Sequence, residues 1–212
     1  MVTQRKNTTI AWEQRKLKTI FNILDGDRGK NYPHENDFKS TGDTLFLDTG
    51  NVTRFGFSFQ NKKYILKAKD QALRAGKLKI NDFIITSRGT LGNVAFYDAA
   101  TNCMYPSIRI NSAMLILRPR QESTVEYSFG LTQLRGKTIS EFLIHDHVGS
   151  AQPHITKRDF SEIEIAVPRN TIEQKNIGFV FDRVRHLIAA NEGKQKIVFK
   201  FQRRFNQSIL TE

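Results

Sequence analysis

The sequence contains one cysteine, Cys103, among 212 residues, so it offers neither a disulfide framework nor a cysteine-based metal cluster. It has no apolar run near the ~20 residues that are needed to span a bilayer. The N-terminal stretch Met-Val-Thr-Gln-Arg-Lys-Asn-Thr-Thr lacks the apolar core of a signal peptide. These absences are typical of a protein of the reducing cytoplasm, and we expect that location.

Apolar residues and positive charge, in contrast, are plentiful. Hydrophobic residues make up 39% of the chain and include sixteen phenylalanines, which excludes a disordered protein. A chain of 212 residues allows one domain plus an appendage. The net charge is +12, of which +8 lies in residues 1–170, so the charge is not confined to a basic tail. This balance favours a polyanionic partner, because phosphate contacts supply most non-specific affinity for nucleic acids.

Residues 10–168 have the pattern of many short strands separated by Gly and Asn turns. The clearest predicted strands are 18–24, 44–47, 82–86, 93–97 and 112–119, the last of which is closed by Pro119. Short helices are predicted at 67–77 and 138–147. The pattern predicts an α+β fold with a twisted mixed β-sheet and a few short helices.

Residues 171–210 predict one long helix. Pro168 ends the preceding strand, and Asn170 with Glu173 three residues later resembles a capping box. About 40 residues make a helix of about 60 Å, which is longer than a small domain. Its heptad pattern favours a coiled coil or two-helix seam, although packing on its own domain or bending back at Gly193 stays open. Seven of the ten a and d positions are apolar, and the ten are Ile177, Val180, Val184, Leu187, Asn191, Lys194, Val198, Phe201, Phe205 and Ser208.

The sequence gives little support for catalysis. It has no Gly-x-Gly-x-x-Gly pattern, no phosphate-binding loop and no Asn-Pro-Pro-Tyr motif of adenine methyltransferases. The pair His145 and His147 fits a helix end or strand better than a metal site. Glu173 and Lys175 match the Glu-x-Lys of metal-dependent nucleases, but they fall on the first turn of the predicted helix. We therefore expect a non-enzymatic chain without a cofactor or metal of its own.

The turns carry the side chains that suit DNA. Arg and Lys can hydrogen-bond guanine, Asn and Gln can bond adenine, and Ser, Thr, Lys and Arg can hold phosphates. A solvated turn is the alternative for each loop. We expect base contact from Arg28 and Arg88 more than from the side chains of the 149–160 stretch. The side chains of that stretch are expected to orient the domain as well as to contact bases. The predicted DNA-binding residues are Arg28, Lys30, Asn31, Tyr32, Asn51, Arg54, Ser87, Arg88, Thr90, Gln152, His154, Lys157 and Arg158.

Three segments together resemble the specificity (S) subunit of type I restriction–modification systems. The first runs from Trp12-Glu-Gln-Arg-Lys-Leu17 into Asp25-Gly-Asp-Arg-Gly-Lys-Asn-Tyr-Pro33. The second is Gly76-Lys-Leu-Lys-Ile-Asn-Asp82 followed by Ile84-Ile-Thr-Ser-Arg-Gly-Thr-Leu-Gly92. The third runs from Gly149-Ser-Ala-Gln-Pro-His-Ile-Thr156 through Ile165-Ala-Val-Pro168 to Glu173 and Gln174. The order and spacing of these segments, over nearly the whole chain, make the resemblance specific.

The resemblance implies a target-recognition domain over residues 1–170 and a conserved-region helix over 171–212. In such a protein the domain binds double-stranded DNA, and the helix dimerises and docks a methyltransferase (M) subunit, with a restriction (R) subunit as an optional addition. S-adenosylmethionine would then sit on the M subunit. The residues implied in the dimer interface are Ile177, Val180, Val184, Leu187, Asn191, Val198, Phe201 and Phe205.

The chain departs from the family in number, because relatives usually carry two recognition domains and two long helices. One interpretation is a half-length subunit that pairs antiparallel with a second copy and reads the same half-site twice, as a bipartite target. Another half-subunit is the alternative partner for this pairing. Another is a piece of a longer subunit, since Trp12–Leu17 is also how second recognition domains begin in relatives. From other classes, a stand-alone metal-dependent DNA nuclease and a non-DNA oligomerisation module stay open.

Overall fold

The computed structural model describes residues 12–145 and 154–209. The strands are β1 (Trp12–Lys16), β2 (Phe21–Asp25), β3 (Thr44–Leu47), β4 (Val52–Thr53), β5 (Gly56–Phe57), β6 (Lys63–Ile65), β7 (Phe83–Thr86), β8 (Val94–Phe96), β9 (Ile108–Ile110), β10 (Met114–Pro119) and β11 (Glu164–Pro168). The α-helices are α1 (Leu17–Ile20), α2 (Lys67–Ala72), α3 (Ala99–Met104), α4 (Tyr127–Leu134), α5 (Lys137–His145), α6 (Lys157–Glu162) and α7 (Thr171–Ile209). Within these ranges no helix is both long and apolar enough to cross a membrane.

Strand β10 is the centre of the fold. It lies in an antiparallel sheet of order β2-β10-β7-β8, paired with β2 on one side and β7 on the other. Its residues alternate between two hydrophobic clusters, with Leu115 and Leu117 in one and Met114 and Ile116 in the other. All four side chains are fully buried, which explains why this strand is continuously apolar rather than alternating.

A second sheet of order β6-β3-β9 joins the first through the short 111–113 link between β9 and β10. Strand β3 pairs antiparallel with β6 and parallel with β9, so the sheet is mixed. The α+β fold class with a mixed sheet, short helices and a long C-terminal helix is therefore confirmed.

A two-stranded ribbon ties the start of the described chain to the start of α7. Strand β1 runs antiparallel to β11, with Trp12 opposite Pro168. The Trp12 indole Nε1 donates to Glu173 Oε1 at 3.2 Å, and its ring meets Phe129 edge-on. Asn170 Oδ1 accepts from Ile172 N, as the predicted cap requires, but the Glu173 carboxylate is engaged by Trp12.

Helix α7 packs its first turns on α4. Gln174 is fully buried and bridges the two, since its Oε1 accepts from Glu126 N at 2.7 Å and its Nε2 donates to Pro168 O at 2.8 Å. Gly178 allows close approach, because a Cβ there would lie 2.0 Å from Ser128 Oγ. The helix runs on through residue 193 to Ile209, so the predicted long helix is confirmed.

Three local predictions need correction. Residues 18–24 do not form one strand, because Leu17 and Ile20 bury side chains at helical spacing in α1 before β2 begins. The helix predicted at 67–77 ends at Ala72, where Leu73 turns extended. Residues 157–162 form α6 rather than a loop, because Thr156 Oγ1 accepts from Asp159 N and caps the first turn.

Candidate DNA-binding surface

Three loops leave the four-stranded sheet at the same end. Strand β2 ends at Asp25 opposite Leu115, and β7 ends at Thr86 opposite Met114, where β10 begins. The loops 26–32, 87–93 and 111–113 therefore lie together, and we call them the sheet-end surface. The first and third touch through backbone, because a Cβ on Gly26 would lie 2.2 Å from Asn111 O.

Loop 26–32 is shaped by Asp27, a buried carboxylate. Its Oδ1 accepts from Gly29 N at 2.6 Å, and its Oδ2 accepts from the backbone N–H groups of Arg74 and Ala75. Burial alone would raise the pKa of Asp27, but these three N–H donors outweigh it and hold the pKa below its ordinary value. The carboxylate therefore stays ionised and fixes the loop.

The predicted residues of this loop divide into two groups. Arg28 and Lys30 are exposed, and Arg28 Nη2 donates to Ser112 O at 3.2 Å, across the sheet-end surface. Asn31 is exposed as well, but its Nδ2 donates to Ala72 O at 3.0 Å. Tyr32 is half-buried with its ring edge-on to Phe46. Arg28 and Lys30 are the side chains best placed for an external partner.

Loop 87–93 has two exposed predicted residues, Arg88 and Thr90. Thr86 Oγ1 braces the loop by donating to Thr90 O and accepting from Asn93 N. Ser87, also predicted to contact DNA, is fully buried instead of exposed, and among the described residues its Oγ has no hydrogen-bond partner. Its backbone instead ties the loop down, with Ser87 N donating to Ala113 O at 2.8 Å.

The segment after residue 153 docks on the same loop. His154 forms an antiparallel bridge with Arg88, and Ile155 N donates to Ser87 O at 2.9 Å while its side chain enters the core. Lys157 and Arg158 follow as exposed residues in the first turn of α6. Gln152 lies outside the described residues. The structure therefore brings Arg88 and His154 together, although 65 residues separate them in sequence.

The structure places Asn51 differently from the prediction. Asn51 is only 6% exposed, and its amide braces the chain by donating to Ser58 O and Asn61 O and accepting from Asp48 N. The Asn51 side chain, predicted to contact DNA, is thus turned inward in the structure, where its amide bonds to the chain itself. The segment 58–63 folds over this amide, and its exposed polar run Gln60-Asn-Lys-Lys63 lies between Phe59 and Tyr64, a signal that the sequence-based prediction did not include.

Arg54 is exposed, but its guanidinium is engaged by α7. It forms an ion pair with Glu192. Arg135 lies nearby and donates to Val94 O through two guanidinium nitrogens. Burial and then the positive charge of Arg185 lower the pKa of Arg135 to about 10. Side chains from the β4–β5 hairpin, from the end of α4 and from α7 thus meet at this point.

The predicted seam of α7 is partly open. Val180, Val184 and Leu187 are 57%, 46% and 70% exposed, and Asn191 is exposed too. Ile177 instead packs partly against the domain core. The side chains of Val198, Phe201 and Phe205 lie outside the described part of the chain. Over the described turns, one face of α7 contacts the domain and an adjacent apolar face is uncovered.

The residues considered for metal chemistry do not converge where the structure describes them. Glu173 is bonded to Trp12, and His147 lies in the undescribed range 146–153. Within residues 12–145 and 154–209, no three His, Cys, Asp or Glu side chains lie close enough to hold a metal ion together.

Comparison with known proteins identifies the family. A family model for the type I restriction modification DNA specificity domain matches residues 10–198. No curated protein matches the sequence significantly. A solved chain from work on complex assembly and conformational transition of the type I R-M system superposes with a TM-score of 0.68 at 17% identity, covering 99% of this chain and 47% of that one.

Two S subunits have the same fold. The HsdS subunit from Thermoanaerobacter tengcongensis matches with a TM-score of 0.59 at 18% identity, over 89% of this chain and 41% of its own. The type I S subunit from M. genitalium matches with a TM-score of 0.55 at 18% identity, over 84% and 41%. The chain thus spans less than half the length of these solved chains. Because the family model covers most of its length, the chain belongs to the family of type I restriction–modification DNA specificity domains.

Proposed function

We propose that this chain supplies DNA sequence specificity to a type I restriction–modification system. It binds double-stranded DNA and directs a separate methyltransferase subunit, which carries S-adenosylmethionine, to the target. The convergence of Arg28, Arg88 and His154 at one sheet end carries this proposal, together with the family. The chain itself performs no catalysis in this scheme, and a restriction subunit is a further partner of the assembled complex.

The sheet-end surface suits DNA because its basic groups stand on a rigid base. Arg28, Lys30 and Arg88 are exposed, whereas the groups that shape their loops, Asp27 and Thr86, are buried. A guanidinium can donate two parallel hydrogen bonds to guanine O6 and N7, or bind a phosphate. Loops fixed beforehand lose less conformational entropy on binding, which favours discrimination between sequences.

Helix α7 provides the proposed pairing surface. Val180, Val184 and Leu187 recur at heptad spacing and are exposed in the single chain. A second copy packed antiparallel on this face would cover them and would place two recognition domains about a two-fold axis. Such a pair reads one half-site twice, as a bipartite target whose spacer depends on helix length.

A DNA-binding measurement tests the proposal. The chain, alone and with an M subunit, is titrated against randomised duplexes over a range of salt concentrations. We expect a steep salt slope, selection of a split palindrome, and loss of affinity in Arg28→Ala and Arg88→Ala. Arg120→Ala is the matched control, because Arg120 is also exposed with one hydrogen bond to a backbone carbonyl but lies beyond the opposite end of β10. A shallow slope without sequence preference would overturn the proposal.

A further inference from the structure

The 58–63 segment, between β5 and the start of β6, is held from below by a buried amide. Asn51 Nδ2 donates to Ser58 O at 2.9 Å and to Asn61 O at 2.7 Å, and Ser58 N donates to Asn51 O at 2.8 Å. A buried side chain with this many partners fixes the backbone path of the loop. The conformation of the segment is therefore set before any ligand arrives.

Apolar residues anchor the segment on both sides. Phe57 and Phe59 stack at 5.4 Å between ring centres, and Phe59 meets the Tyr105 ring at 4.4 Å. On the other side Ile65 is fully buried. Of the five residues between Phe59 and Ile65, the first four, 60–63, are consecutive exposed polar side chains. A rigid loop that presents such a run resembles a recognition element more than a simple connection.

The segment lies beside the sheet-end surface. Strand β6 pairs Lys63 with Phe46 of β3, and Leu47 O at the end of β3 accepts from Asn111 N at 3.1 Å. Asn111 belongs to the sheet-end surface. On the other flank, Asn93 Nδ2 donates to Val52 O at 3.0 Å. A hollow of about 600 Å³ adjoins the segment, and its lining includes Asn51, Gln60, Asn61 and Lys62.

The chemistry of the exposed run fits the edges of base pairs. The Gln60 and Asn61 amides each carry a donor and an acceptor, the combination that pairs with adenine N7 and N6 in the major groove. Lys62 Nζ lies 5.7 Å from the centre of the Tyr105 ring, while Lys63 forms an ion pair with Asp48 at 3.1 Å. Among the residues that the structure describes, Lys62 has no carboxylate within ion-pair distance, whereas Lys63 has Asp48.

We propose that the 58–63 segment is a further DNA-contacting element, in which Gln60 and Asn61 contact base edges and Lys62 contacts a phosphate of double-stranded DNA. Asn51 acts as a positioning residue beneath them. This inference rests on the proposed function, because it adds a reading element to the same surface.

The test compares sequence selection by the full chain and by Gln60→Ala/Asn61→Ala, using a randomised duplex library. Loss of a bidentate amide contact costs about 1–3 kcal/mol, so we expect discrimination to fall between about 5-fold and about 150-fold at one or two positions. The salt slope should stay unchanged. Gln121→Ala is the control, because Gln121 is exposed just beyond the opposite end of β10.

Two further variants separate the roles. Lys62→Ala should weaken all duplexes alike and lower the salt slope by about 1. Asn51→Ala should relax preference at the same positions as the amide double variant, whereas a purely structural role would weaken all duplexes equally. If the double variant selects the same sequences as Gln121→Ala while the parent chain remains selective, the inference is overturned and the proposed function stands. If the parent chain shows no selective binding, the proposed function fails first.

Discussion

Arg54 of the β4–β5 hairpin forms an ion pair with Glu192 of α7, in which Nη2 and Oε2 lie 2.5 Å apart. Gln174 and Gly178 already fix the first turns of α7 on α4. The ion pair joins the hairpin to a part of α7 far beyond those turns. The side chains are 66% and 31% exposed, so the pair contributes no more than about 1 kcal/mol. It therefore orients the helix more than it stabilises the fold.

Replacing Arg54 by Ala separates helix contact from DNA contact. We expect Arg54→Ala to raise amide hydrogen exchange around residues 54 and 192, because the ion pair is lost. Its DNA affinity should stay within about twofold of the parent, while Arg28→Ala weakens binding and lowers the salt slope by about 1. An equal loss of DNA affinity in both variants would instead assign Arg54 to DNA, as the sequence predicts.

The exposed a and d positions of α7 predict that the chain forms a dimer. A charge on this face cannot be buried without large cost, so Val184→Glu/Leu187→Glu should convert a dimer into a monomer in light scattering. Phe179→Glu is the control, since Phe179 is 61% exposed but lies outside the predicted a and d set. An unchanged mass in the double variant, or dissociation by Phe179→Glu alone, would contradict pairing through this seam.

Gly178 is predicted to be intolerant of even a methyl group. A Cβ would lie 2.6 Å from Ser128 Cβ and 2.7 Å from Phe129 N, so α4 and α7 must move apart. Overpacking of this kind costs about 1–3 kcal/mol, which exceeds the gain of at most about 1 kcal/mol in helix propensity. Gly178→Ala should lower Tm. Asn176→Ala, at an exposed position of α7, should not.

The paired carboxylate of Asp70 leads us to expect that the folded state loses stability in acid. Burial raises its pKa, but hydrogen bonds from Lys77 and Arg109 outweigh burial and leave the pKa below its ordinary value of 3.8. A lowered pKa in the folded state gives stability that is present above pH 3.8 and is lost as pH falls through the folded-state value. The free energy of unfolding should therefore drop in this acid range.

The Asp70→Asn variant tests the origin of that loss. It should be less stable by about 3–5 kcal/mol at neutral pH, because buried Arg109 loses its carboxylate, and its stability should depend less on pH below 4. Glu122→Gln, at an exposed site, is the control. An unaltered acid profile in Asp70→Asn would assign the acid sensitivity to other carboxylates.

Elements with strong local signals were predictable from the sequence. Strand β3 has the predicted bounds 44–47 because its four residues, three of them apolar, are all buried. Strand β10 and the start of α7 also follow from apolar runs and from the stop at Pro168. Arg28 and Arg88 are exposed on turns, as their glycine-rich surroundings indicate.

Elements that depend on distant partners were not predictable. Strand β1 is mostly polar, and it exists because β11 pairs with it from more than 140 residues away. Helix α4 contains Gly130, a poor helix former, and is stabilised by packing on α7. Asn51 has the sequence context of a solvated turn, yet the chain folds back over its amide ten residues later. Such burial is a tertiary effect that no local pattern records.

The antiparallel pairing of β1 with β11 makes residues 12–168 a block whose two ends lie side by side. Because Trp12 lies opposite Pro168, the chain enters and leaves the domain one strand spacing apart, about 5 Å. A whole block from 12 to 168 can therefore be replaced by a homologous block without changing the reach of the helix that follows.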